Sequence, residues 1–356
     1  MRPQTLARRA APLLRGLALA LSALLAPAGA GAADTPAALT EPALASARAA
    51  GAATLAVTRA GNRLVAAGER GIVLLSDNDG ASWRQARVPV RTSLTALRFV
   101  DARHGWATGH LGSLLRSEDG GESWTLQLDG VRAAELVAGA LAGGDERAQR
   151  SARSLLDEGP DKPFFDLDFN ADGHGFAVGA YNLAVMSTDG GASWQPLSPR
   201  LPNPRNLHLY AVRSLGRQVF IAGEQGLLLR SDDGGASFVA LASPYKGSFF
   251  ALLTTRAGSL LACGLRGNVF RSDDLGASWQ KVETGLAVSI GAGIERDDGS
   301  LLLLSQAGDL LASHDDGRSF RRLPEGAAVP AAGLAATADG RLSIASLRGM
   351  RRLAAP

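Results

Sequence analysis

Serine and aspartate or asparagine stand two residues apart six times in this chain, each pair followed by glycine and an aromatic residue. The copies read "SDNDGASW" from Ser76, "SEDGGESW" from Ser117, "STDGGASW" from Ser187, "SDDGGASF" from Ser231, "SDDLGASW" from Ser272 and "SHDDGRSF" from Ser313. A hydroxyl beside a carboxylate is the raw material of an activated nucleophile, and "DNDG" or "DDGG" is the raw material of a calcium loop. The pattern argues against both. A motif copied six times around one chain cannot converge on one substrate. Its first copy carries Asn78, which keeps an acceptor oxygen but cannot exchange a proton. No bidentate glutamate follows at the twelfth position.

The motif therefore reads as a turn. Its Asp or Asn accepts from turn N–H groups, its Gly permits positive φ, and its Trp or Phe is buried. The structural set is Ser76, Asn78, Trp83, Asp119, Trp124, Asp189, Trp194, Asp233, Phe238, Asp274, Trp279, Asp315 and Phe320. Four of the five tryptophans belong to it, which assigns them to packing. Other chemistry is sparse. His104, His110, His174, His208 and His314 lack ligand spacing, so no metal is expected. No phosphate loop, G-x-S-x-G or paired-carboxylate motif appears, so no cofactor and no catalytic set are expected. The single Cys263, in "LLACGLRG", can form no internal disulfide and reads as a small buried hydrophobe.

The spacing of the boxes dictates the elements that carry them. Their starts lie 41, 70, 44, 41 and 41 residues apart. A strand pair precedes each box, as in "VAAGERGIVLLS" and "FIAGEQGLLLRS", and a seventh copy, "SIASLRGMRRLA", has no box after it. Seven units follow, each of four short strands; in the second they are expected over 94–100, 105–109, 113–117 and 123–128. The expected fold is all-β, a seven-bladed β-propeller of four-stranded antiparallel blades. The seventh unit shows three strands, near 333–337, 341–345 and 350–353. The segment Pro42–Gly51 is expected to supply its fourth and tie the ring. The one long spacing holds an insertion, 131–160, rich in Ala, Leu, Glu and Arg. Val131, Ala134, Val137 and Leu141 share a helical face, Gly143-Gly144 breaks it, and Asp145 is placed to cap a second helix. A short helical hairpin between blades two and three is expected.

Residues 1–33 read as a signal peptide: Arg2, Arg8, Arg9 and Arg15, an apolar run over 16–25, then small residues at Ala28-Gly29-Ala30. The remaining 34–356 would be one propeller, periplasmic or secreted. Loss of four arginines leaves 33 basic against 34 acidic residues, so the pI of 9.4 makes no case for nucleic acid or an anionic membrane. No other run is long enough for a transmembrane helix after cleavage. A monomer is expected.

The box resembles the Asp-box, or bacterial neuraminidase repeat. Sialidases share that repeat, and their resemblance would imply an arginine cluster and a Tyr–Glu nucleophile. No Arg-Ile-Pro occurs here, and Tyr181, Tyr210 and Tyr245 lie in no recognisable catalytic context. A sialidase-like glycoside hydrolase or a glycan-binding lectin is the second reading. A wider resemblance covers nearly the whole of 34–356. "AAGERGIVLLSDNDGASW", "FVDARHGWATGHLGSLLRSEDGGESW" and "FNADGHGFAVGAYNLAVMSTDGGASW" resemble the blades of the photosystem II stability/assembly factor family. That resemblance implies a seven-bladed, non-catalytic scaffold that binds a protein partner, a component of a membrane complex. Exported bacterial relatives look like periplasmic accessory proteins, some of them neighbours of exporters.

A partner would meet the face built from loops joining second and third strands and loops leading into innermost strands, where tips vary on a fixed glycine frame. The candidate residues are Arg70, His110, Tyr181, Asn182, His208, Tyr210, Tyr245, Lys246, Arg266 and Arg348, with Lys162 and Asn206 in the same mouth. A deep axial pocket with several arginines and two or three carboxylates would favour the enzyme. A shallow mixed surface would favour docking.

Overall fold

The computed structural model describes residues 35–170 and 172–354, so the signal-peptide reading of 1–33 lies outside the described residues. Within Thr35–Pro356 the strands form seven antiparallel sheets arranged as a propeller, each sheet built from consecutive strands. Blade two shows the pattern: Leu94–Phe99 innermost, Gly105–Gly109, Leu114–Ser117, and Thr125–Leu128 at the rim. The second strand of each blade is almost wholly buried, because it is covered on both faces by neighbouring blades. The innermost strand of blade seven, Ala331–Ala336, lies against that of blade one, Thr54–Ala60, and closes the ring.

Seven apolar clusters hold the ring, one between each pair of adjacent blades. The box aromatic does more than pin its own hairpin. Trp124 packs with Val65 and Leu75 of blade one, and Trp194 with Trp106 and Leu114 of blade two. Each box thus fastens its blade to the one before. The junction of blades six and seven is purely aliphatic, since blade seven has no box to send an aromatic there.

Closure differs from the sequence expectation. Blade seven keeps three strands, ending with Arg351–Leu353, and Pro42–Gly51 adds none. That segment instead leans on blade one: Ala43 N–H donates to Val88 O, Arg91 Nε to Pro42 O, and Gln85 Nε2 to Leu44 O. Its backbone groups are taken by blade one rather than by a blade-seven strand, although Ala50 and Gly51 lie close to Gly349 of blade seven. The seam is held by Thr54 Oγ1, which donates to Ser346 O and accepts from Ser346 N–H. Ala49, Ala345 and Trp83 pack beside it.

The insertion is helical. After the short α1 (Ala37–Thr40), α2 (Gly130–Leu141) and α3 (Glu146–Asp157) form an antiparallel hairpin between blades two and three. Asp129 caps α2 through Arg132 N–H, and Asp145 caps α3 through Ala148 N–H at 2.8 Å. Ala133, Ala134, Val137 and Ala138 bury the inner face of α2. Among the described residues no helix is long and apolar enough to cross a membrane.

Candidate functional site at the axial mouth

The two ends of a blade are built differently. At one end, the box is a closed hydrogen-bond unit. Ser187 Oγ donates to Asp189 Oδ1 and accepts from Gly191 N–H, while Ser193 gives its N–H and its hydroxyl to the two Asp189 oxygens. The Ser193 hydroxyl, then its N–H, then Ser187 hold the Asp189 carboxyl down to about 2. In the first box Asn78 Oδ1 accepts from Ser76 Oγ and Ser82 N–H, and its Nδ2 donates to Ser82 Oγ. The hydroxyl reverses its role and the turn survives without charge. The Ser and Asp or Asn side chains that define the motif are spent on the turn. Cys263 is equally inert: it is fully buried, and burial pushes its thiol up to about 12.

At the other end, each second strand turns into the third through a tight loop. In blades one to five the tips Arg70, Leu111, Tyr181, Gln225 and Arg266 sit at φ of 51–58°, left-handed though not glycine. The next residue is also left-handed: Gly71, Gly112, Asn182, Gly226 and Gly267. Two such central residues make the type I′ turn, whose twist matches the strands it joins. All seven tips are tied to the loop leading into the innermost strand. The bonds run from N–H of Glu69, His110, Ala180, Glu224, Leu265, Gln306 and Leu347 to O of Ala53, Ser93, Pro163, His208, Ser248, Ser289 and Pro330. In five blades the preceding residue is a glycine in extended backbone, needed for room. A Cβ on Gly179 would stand 2.1 Å from Pro163 O.

The innermost strands add a second device. Each carries a β-bulge one residue from its start, between Thr54 and Ala56, Leu94 and Ala96, Leu209 and Ala211, Phe249 and Ala251, Ile290 and Ala292, and Ala331 and Gly333. Blade three has it between Phe164 and Asp166. A bulge re-aims one side chain. The seven extra residues, Leu55, Thr95, Phe165, Tyr210, Phe250, Gly291 and Ala332, all line an axial channel of about 480 Å³. Blades three to five put aromatic rings there; blades six and seven put almost nothing.

Tyr181 at a tip and His208 in an approach loop join these rings in one ladder. Tyr181 meets His208 edge-on with centroids 4.5 Å apart, and His208 lies 5.9 Å from Tyr210. Tyr210 lies 5.4 Å from Phe165 and 5.3 Å from Phe250. His208 Nδ1 accepts from Tyr181 N–H at 3.1 Å, coupling the tip of blade three to the approach loop of blade four. Phe165, Tyr210 and Phe250 are half-buried, whereas Tyr181 is 61% exposed. Burial, reinforced by Glu224, raises the Tyr210 hydroxyl above its ordinary value.

Deeper in the channel lie Arg59, Arg98, Arg213 and Arg296 with Asp166, Asp168, Glu295 and Asp297. This is the mixture expected of an enzyme pocket, but three of its four carboxylates, those of Asp166, Asp168 and Glu295, are engaged in joining blades. Asp166 accepts from Val212 N–H and from Arg213, and Asp168 from Ser214 N–H, both across to the exposed edge of blade four. Arg98 Nε stands 3.1 Å from Asp168, and Glu295 pairs with Arg256. Burial pushes the Asp166 carboxyl up, with Arg213 pulling the other way. Among the described residues no His, Cys, Asp and Glu group is arranged to hold a metal ion.

Of the sequence candidates, Tyr181, His208 and Tyr210 come together. Asn182 lies beside them, its Oδ1 accepting from Asn203. Arg70, His110, Arg266 and Arg348 occupy equivalent tips of other blades, and Lys246 is exposed on the approach to blade five. Tyr245 is turned inward, packed 5.8 Å from Phe270. Lys162 is buried between Glu158 and Asp161. Phe165 and Phe250 escaped sequence reasoning. Their signal was a column: the second residue of every first strand, variable although the residue after it is Ala in five of the seven blades.

Residues 146–322 match the sequence model of the family described as photosynthesis system II assembly factor YCF48. A curated relative, the photosystem II assembly lipoprotein Ycf48 of Synechococcus sp. (strain CC9902), is 38% identical over 76 residues, 21% of this chain and 23% of that protein. A solved structure of YCF48 bound to D1 peptide superposes at a TM-score of 0.63 and 15% identity, covering 89% of this chain and 97% of that one. Streptogramin B lyase superposes at 0.64 with 10% identity, over 86% and 95%. The superpositions show the propeller, which serves enzymes and binding proteins alike.

Proposed function

The chain belongs to the photosystem II assembly factor-like propellers, and from that premise we propose that it is a non-catalytic, exported, monomeric scaffold that binds a protein partner at the axial mouth. The observation that carries the reading is the aromatic ladder: five adjoining rings raised by three bulges and two loops on one face. Half-buried aromatics on a rigid frame supply apolar contact at small entropic cost, as binding hot spots do. The channel carboxylates of Asp166, Asp168 and Glu295 are occupied with backbone N–H groups and arginines. A structural neighbour holds a D1 peptide, which makes a polypeptide the first ligand to test. The partner would be a component of a membrane complex, possible families including exporters. The leader-like sequence of residues 1–33 supports export to the periplasm or beyond.

The test is affinity capture from an envelope fraction with the intact chain and with Tyr210→Ala and Phe250→Ala. One protein retained by the wild type and by Arg70→Ala, and lost from both aromatic variants, is the expected result. Equal capture by all four chains would defeat the assignment. A glycan would use the same rings as a stacking platform. Binding to a glycan array, lost in Tyr210→Ala and without any protein captured, would establish the lectin reading instead.

A further inference from the structure

The helical hairpin and blade three enclose a second concavity, of about 820 Å³, that shares only Tyr181 with the ladder. Val137 and Leu141 of α2, Leu155 of α3 and Leu183 of blade three give it an apolar floor, and Pro199 and Pro204 form its lip. Its charged residues are already paired. Lys162 is held by Glu158 at 2.5 Å and Asp161 at 3.1 Å, and Arg150 by Glu146 at 3.3 Å. Arg147 bonds Pro204 O across the gap, and Asp145 caps α3. A charged ligand would compete with these pairs, although the exposed Arg150–Glu146 contact is a weak one. Uncharged apolar groups face no such cost, and a cavity of this size accepts several side chains.

The concavity is continuous with the ladder. Tyr181 and Asn182, the centre of the blade-three turn, line it, and the outermost ring of the ladder is that same Tyr181. We infer that this groove receives an uncharged, apolar segment of the same protein partner that crosses the ladder, so that one extended chain passes from the hairpin over Tyr181 to the axial mouth. This rests on the proposed function and adds to it the occupant of a second subsite. The hairpin is then a recognition element that the seven-fold repeat alone could not supply.

The experiment uses the full chain with a photo-crosslinking p-benzoylphenylalanine placed singly at Tyr210 or Leu155, irradiated in cells that make the partner. The expected result is the same protein from both positions, with the residues joined to position 155 lying in an uncharged apolar stretch adjacent to those joined to position 210. A synthetic peptide of that segment should bind Leu155→Asp at least tenfold more weakly than wild type, with Leu155→Met close to wild type. Cross-linking of the partner at 210, with only lipid, a second copy of this chain or nothing at 155, would overturn the groove assignment and leave the ladder standing. Absence of a protein at both positions would overturn the ladder reading as well.

Discussion

The box end and the tip end of a blade use backbone and side chain in opposite ways. At the box, side chains are nearly invariant and satisfy one another and the turn. At the tip, backbone bonds repeat in all seven blades while side chains change from Arg70 to Tyr181 to Ala307. A unit whose defining Ser and Asp groups are satisfied within the turn has little to offer a partner. A frame fixed by main chain leaves its side chains unconstrained, and these carry recognition. The difference places architecture at one end and function at the other.

The largest test of that division is at the box aromatic. Trp124 is 5% exposed, lies edge-on to Phe99, and gives its Nε1–H to Gly121 O. Trp124→Ala should cost about 4 kcal/mol, in the range for a buried aromatic removed from a core. Denaturant unfolding measures it. A loss under about 1 kcal/mol, far below that range, would mean that blades one and two do not depend on this staple.

Next comes the tip frame. Gly179→Ala forces a Cβ to 2.1 Å from Pro163 O, a collision of backbone with backbone. The cost should be about 3 kcal/mol, the upper end for overpacking. The control is Gly143→Ala, where an added Cβ meets nothing within 4 Å. Similar midpoints for the two variants would remove the case that the tip is held by close approach.

How much of this was legible beforehand follows the same division. The boxes count blades directly, because a turn that satisfies itself needs no information from elsewhere in the chain. Asn78 gave away its structural role for the same reason. The helical hairpin was legible from local signals, down to the Asp145 cap. What the sequence concealed was the product of distant neighbours. The bulge that turns Phe165, Tyr210 and Phe250 to the axis appears only when strands pair, and the ladder only when three blades meet. The closing strand expected from Pro42–Gly51 failed because counting strands says nothing of which neighbour a loose segment prefers. Tyr245 and Lys162, in the loops leading into the innermost strands, looked like free surface residues until packing and two adjacent carboxylates claimed them.

A smaller effect separates charge from geometry within the box. Asp189, Asp233 and Asp274 are held at about 2, in each case chiefly by the hydroxyl of the box's second serine. Carboxyls titrate at about 3.9 in the unfolded chain. A lowered folded value stabilises the fold above that pH, and the contribution is lost as pH falls from about 4 toward 2. Changing all three to Asn, as at position 78, should keep the fold but lower neutral stability toward the value the wild type reaches in acid, and flatten the acid limb of an unfolding profile. An acid limb of unchanged slope would mean that the boxes do not bear that titration.

The smallest expected effect on stability is the most informative about function. Tyr181 is 61% exposed and left-handed at φ 51°, a conformation that is costly for a bulky residue. Tyr181→Ala removes its ring from His208 but keeps the turn bonds Leu183 N–H to Ala180 O and Ala180 N–H to Pro163 O. Stability should move by no more than about 0.5 kcal/mol, the usual range at the surface. Tyr181→Gly, which also relieves the left-handed strain, should match or exceed the wild type. Both should lose the partner. If the two ends of the blade are as different as the geometry makes them, Trp124→Ala and Tyr181→Ala will give opposite results: at a temperature where both chains are folded, the first binds normally and the second does not. Normal binding by the Tyr181 variants, at wild-type stability, would return that tip to the frame and leave recognition to Tyr210 and Phe250 alone.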